Sequence, residues 1–116
     1  MIKDVTDLEV YKESMYLLHE VNTLTSLISQ TEKDLISQIK RASRSIPANL
    51  AEGFAKKSST KEFKRYLMIS LGSSDELITH FRVLIIINPG LQSQSEDILK
   101  KYQILSKRLN VLYHKW

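Results

Sequence analysis

Apolar side chains recur at steps of three and four along nearly all of this 116-residue chain, and only three glycines and two prolines interrupt them. That period puts the apolar groups on one side of an α-helix, so they can be buried only by packing helix on helix. Four segments carry it. In the first, Thr6 and Glu9 have capping-box spacing, and Leu8, Tyr11, Met15, Leu18, Val21, Leu24 and Ile28 form the stripe. The polar stretch from Ser29 to Asp34 offers caps for a second helix, whose stripe is Leu35, Ile39, Ala42, Ile46 and Leu50 and which ends at Gly53 and the Lys56 to Ser59 turn. Ser59 with Glu62 repeats the capping box. Phe63, Leu67, Ser70, Ser74, Leu77, Phe81 and Leu84 then mark a third helix, stopped by Asn88, Pro89 and Gly90. Ile98, Tyr102, Leu105, Leu109, Leu112 and Trp116 define the fourth. The run from Leu84 to Ile87 would suit a strand in isolation, but it continues the third helix in phase.

Four helices of about 20 to 28 residues joined by short turns predict an all-α, antiparallel up-down-up-down four-helix bundle, with residues 1–116 as a single domain. A chain of this length buries roughly two thirds of its unfolded surface, so the core needs no staple. Cysteine is absent, which excludes a thiol nucleophile, a thiolate metal site and a disulfide framework. The acidic, amphipathic start lacks the features of a secretory signal, and no apolar run reaches the roughly 20 residues of a membrane span. The expectation is a soluble cytoplasmic protein without a membrane partner.

The net charge of +4 is regional. Three basic and seven acidic side chains precede position 40, whereas residues 40 to 65 carry eight basic and two acidic ones. Those eight, Lys40, Arg41, Arg44, Lys56, Lys57, Lys61, Lys64 and Arg65, are the candidate nucleic-acid contacts. Lys57, Lys61, Lys64 and Arg65 share a helical side near the turn and suit a phosphate backbone, to be bound without reading sequence and with strong salt dependence. The alternatives are a solvated helix face, or a basic rim that docks an acidic or nucleic-acid-bound protein. Phe54, Phe63 and Tyr66 lie close by, at a spacing that favours core over base-stacking platforms.

The segment from Gln38 to Gly53 combines those charges with an internal proline. Pro47 lacks a backbone donor and crowds the carbonyl four residues earlier, so the second helix is expected to bend there, with Ser45 and Asn49 bonding the backbone groups that the bend releases. Arg41, Ser45, Asn49 and Glu52 follow nearly one face, while Gly72, Ser73, Glu76 and His80 form a small, polar stripe on the third helix. The two stripes are expected to meet across helices or subunits, Gly72 allowing close backbone approach and Arg41 reaching Glu76 or Glu52. A second apolar stripe on the third helix, Met68, Leu71, Ile78 and Ile85, is either wrapped by neighbouring helices or meets another subunit. The reading favoured is a homo-oligomer.

Little here suggests catalysis. Glu76 and His80 are four apart rather than in the Glu-x-x-His spacing of di-iron bundles, His19 and His114 fall at solvated positions, and the glycines form no phosphate loop. No enzyme activity, metal or cofactor is expected.

The stretch SQIKRASRSIPANLAEGFAKKSSTKEFKRYLMISLGSSDEL, with SIPANLAEG and LGSSDEL as its most specific parts, resembles the four-helix-bundle proteins encoded in intervening sequences of bacterial 23S rRNA genes. Relatives of that family include the accessory variability protein of diversity-generating retroelements. The resemblance implies an antiparallel bundle, commonly a homopentamer, with suspected nucleic-acid binding. The family pattern falls on Gln38, Arg41, Ser45, Pro47, Asn49, Ala51, Glu52, Gly53, Ser59, Phe63, Leu67, Gly72, Ser73, Glu76 and Leu77. The chain departs from it at Arg44, Ala55 and Ser74, and Arg44 adds charge beside Pro47.

Overall fold

Four α-helices carry the four stripes in the computed structural model, which describes residues 2–116: α1 (Glu9–Ser26), α2 (Lys33–Ala55), α3 (Thr60–Ile87) and α4 (Gln92–Lys115). Short 3-10 turns at Val5–Asp7, Gln30–Glu32 and Pro89–Leu91 precede α1, α2 and α4, and there is no strand among the described residues. The Leu84 to Ile87 run is the last turn of α3. Each helix packs against two others, α1 on α2, α2 on α3, α3 on α4 and α4 on α1, in a bundle of 46 × 20 × 20 Å. No helix among the described residues is long and apolar enough to cross a membrane.

The first cap lies two residues earlier than its expected Thr6 and Glu9. Asp4 and Asp7 form the capping box around the 3-10 turn, and α1 follows Leu8 with no side-chain cap. Asp4 accepts from the Thr6 hydroxyl at 2.6 Å and the Thr6 N–H at 3.2 Å; Asp7 accepts from the N–H groups of Lys3 and Asp4 at 2.8 and 3.0 Å. These bonds favour the charged form and hold both carboxyls below the ordinary aspartate range. The buried face of α1 accordingly runs through Val10, Ser14, Leu17, Val21 and Leu24; Met15 is exposed and Leu18 only half-buried. Ser14 tolerates the core because its hydroxyl donates to the Tyr11 carbonyl at 2.8 Å.

The stripe of α2 is buried at Ile39, Ala42, Ile46 and Leu50, with Ile36 taking the core position expected of the half-buried Leu35. α2 runs unbroken past the buried Pro47. Asn49 donates its amide to the Ser45 carbonyl at 2.8 Å and to the Ser45 hydroxyl at 3.0 Å. The carbonyl that Pro47 cannot serve is that of Ser43, four residues back, so this pair does not fill the expected role. Ser59 caps α3 by accepting from the Glu62 N–H at 3.2 Å, while Glu62 turns to Arg65 instead of completing the box.

All seven stripe residues of α3 are buried. Two are serines, and both find backbone partners on neighbouring helices: Ser70 donates to the Ile46 carbonyl at 3.1 Å and Ser74 to the Tyr102 carbonyl at 3.2 Å. Ser106 of α4 in turn donates to Ser74 at 2.7 Å. The hydroxyls of Ser70, Ser74 and Ser106 thus find partners within the core, whereas that of the buried Ser95 has none among the described residues. Gly53 is the other close approach. A β-carbon there would stand 2.6 Å from the Tyr66 β-carbon, which fixes how near α2 and α3 lie at the turn. Aromatic rings close the same end, where Phe63 meets Phe54 edge-on at 6.4 Å and Trp116 at 4.3 Å.

Between α1 and α4 the packing is partly ionic. Arg108 reaches Glu13, and Lys101 donates to Glu20 at 2.7 Å, one heptad apart on both helices. The second oxygens of Glu13 and Glu20, and the phenol oxygen of the fully buried Tyr102, have no hydrogen-bonding partner among the described residues. Burial, reinforced by the Glu20 charge, pushes the Tyr102 phenol well above the ordinary tyrosine value.

Candidate nucleic-acid interface

The fold sorts the eight candidate cations into two groups. Lys40, Arg41 and Arg44 lie along α2; Lys56, Lys57, Lys61, Lys64 and Arg65 surround the α2–α3 turn. Seventeen positions separate Lys40 from Lys57, about 25 Å at the rise of an α-helix.

At the turn most of the charge is already engaged. Lys56 donates to Glu52 at 2.8 Å, and this bond raises the lysine's pKa and lowers the glutamate's. Arg65 donates to Glu62 at 3.1 Å. The Lys57 ammonium sits 4.0 Å above the Phe54 ring centre, and Lys64 lies 5.1 Å from that of Tyr113. Tyr66 carries Arg65 at 4.5 Å and Lys56 at 5.3 Å. Phe54 and Phe63 are buried, so the aromatic cluster is core, with Tyr66 as a half-exposed rest for cations. Lys61 has neither an ion pair nor an aromatic contact among the described residues.

The α2 group differs. Lys40 and Arg44 line two adjoining cavities, one of about 300 Å³ against α1, with His19, Asn22 and Ser43, and one of about 490 Å³ along α2, with Gln30, Lys33, Ser37 and Arg41. No carboxylate lines either. Arg41 alone has an acidic neighbour, Glu76 of α3 at 3.9 Å, and with Arg41 largely in water and Glu76 about half exposed such a pair contributes little. The contact of Arg41 with Glu76 is thus present, while Glu52 belongs to Lys56. Lys33 is not among the candidates read from the sequence, and His19, read as solvated, is exposed but also lines the cavity. Lys33 precedes the basic run, and only the packing of α1 on α2 brings His19 to Lys40.

The polar stripes do meet at Ser45 and Ser73, whose hydroxyls are 2.8 Å apart. Gly72 plays no part in close approach: a β-carbon added there would find nothing within 4 Å, because the residue faces open space on α3. Glu76 pairs with His80 at 2.9 Å, and no third His, Asp or Glu joins them in a metal-holding group among the described residues. On the second stripe Leu71, Ile78 and Ile85 are half-buried and Met68 is exposed; Ile69, Val83, Ile86 and Ile87 add further exposed apolar surface to α3.

A family model described as 23S rRNA-intervening sequence protein matches residues 6–111. No curated protein matches the chain.

Proposed function

The chain belongs to the 23S rRNA-intervening sequence protein family, and from that premise we propose a non-enzymatic, cytoplasmic, homo-oligomeric bundle, a pentamer, that binds RNA or DNA through its basic surface without reading sequence. The observation that carries the reading is the set of cations left without carboxylates: Lys40, Arg44, Lys57, Lys61 and Lys64 have no acidic group within ion-pair distance among the described residues. Such side chains attract polyanions, and a ring of subunits multiplies them. The up-down course of the helices is supported by their contacts. Ser45 meets Ser73 while Ser70 meets Ile46, and Glu13 meets Arg108 while Glu20 meets Lys101, one number rising as the other falls. A bend in α2 at Pro47 belongs to the same reading, since the Ser43 carbonyl lacks its helical donor.

The purified protein should retain structured RNA, single-stranded RNA and duplex DNA at low salt and release them as salt rises. Retention of none, or retention unchanged by charge reversal at Lys40, Arg44, Lys57 and Lys61 together, would defeat the proposal.

A second reading, an accessory scaffold for an acidic or nucleic-acid-bound protein, is favoured by one place. Lys61, Lys64 and Arg65 border a cavity of about 540 Å³ with Met68, Ile69 and Tyr113, and such mixed apolar and cationic surface suits a protein partner.

A further inference from the structure

Of the two basic groups, the one along α2 is built differently. Lys33, Lys40 and Arg44 stand at i, i+7 and i+11, which keeps them within about 40° on the helix and spreads them over roughly 16 Å of its length. Lys40 and Arg44 are also an i, i+4 pair of like charges, an arrangement that a helix disfavours. None of the three has a carboxylate within ion-pair distance among the described residues, although seven acidic side chains lie in the first 39 positions. The polar α1 residues that line the cavity beside Lys40 and Arg44, His19 and Asn22, carry no negative charge. At the turn, by contrast, Lys56 and Arg65 pair with Glu52 and Glu62, Lys57 and Lys64 rest on rings, and Lys61 alone is unengaged among the described residues.

We infer that the Lys33, Lys40 and Arg44 row, with the α1–α2 groove beside it, is the primary phosphate-binding track of this protein, and that the α2–α3 turn is not. The inference rests on the nucleic-acid reading above and assigns it a place. Its ligand is a phosphodiester backbone laid along α2. Lys33, Lys40 and Arg44 supply the charge at successive phosphates, and Arg44 is suited to a two-point grip on phosphate oxygens. His19 and Asn22 line the groove from the α1 side with hydrogen-bonding groups. Arg41, turned toward Glu76, contributes less.

Fluorescence anisotropy with a labelled single-stranded oligonucleotide and a labelled duplex, each across a potassium chloride series, tests the assignment and separates the two sources of such a backbone. The K33Q/K40Q/R44Q variant is expected to bind the preferred form at least about tenfold more weakly at low salt, with a salt slope shallower by about 2 for a single strand and about 2.7 for a duplex. The K57Q/K61Q variant should stay within about twofold of the wild type. Wild-type binding that survives K33Q/K40Q/R44Q unchanged, or that falls equally with K57Q/K61Q, overturns the assignment while leaving nucleic-acid binding in place. Failure of the wild type to bind either form at low salt overturns the nucleic-acid reading itself, and the track with it.

Discussion

At the scale of single residues, the two helical glycines of the signature segment have opposite roles. A methyl group on Gly53 would press on the Tyr66 β-carbon, which is tied to its backbone and cannot swing away. Gly53→Ala should therefore destabilise the fold by about 1–3 kcal/mol, the cost of forcing atoms into a packed contact. Gly72 faces open space in mid-helix, and Gly72→Ala should stabilise by about 0.5–1 kcal/mol through helix propensity alone. Urea midpoints at unchanged slope would measure both. Tyr102 is a further case, since its ring is buried against Phe81 and its hydroxyl is unpartnered. Tyr102→Phe should gain about 1 kcal/mol by removing that hydroxyl. Its pH signature has a definite sign. The phenol is raised in the folded state, so its share of stability is full below about pH 10, the unfolded tyrosine value, and is lost as pH rises toward the higher folded value. The Tyr102→Phe variant should lose less stability than the wild type between pH 9 and 11.

Among the elements, α1 joins the common apolar core through Val10, Leu17, Val21 and Leu24 and is tied to α4 by charged pairs as well, whereas α2, α3 and α4 are linked by the Ser70 and Ser74 hydroxyls on backbone carbonyls. Glu20 is three quarters buried at its side chain, so losing its partner leaves a poorly solvated carboxylate. Lys101→Met alone should cost about 1 kcal/mol, and adding Glu20→Gln should recover part of that loss, giving a measurable coupling in a double-mutant cycle. The helices themselves were legible in the sequence because period, caps and stops agreed, most completely in α3, where the whole stripe is buried. The start of α1 was not. Asp4 with Asp7 and Thr6 with Glu9 both have capping-box spacing and are offset by two residues, and the choice between them depends on where Leu8 and Val10 enter the core, a tertiary matter.

For the whole molecule, α3 presents Ile69, Val83, Ile86 and Ile87 to solvent, and Ile86 is 78% exposed. If the bundle assembles through this face, Ile86→Glu should lower the mass found by light scattering while leaving the helical content of each subunit intact. The all-helical class, the four stripes and the concentration of charge over residues 40 to 65 follow from the sequence alone, because each is a property of neighbours along one chain. The division of that charge into an engaged turn and an unpaired row along α2, the arrival of His19 beside Lys40, and the close approach at Gly53 rather than Gly72 came only with the tertiary structure. These depend on which faces of different helices meet, and a helical period specifies that an apolar face is buried without specifying what lies beside its polar edges.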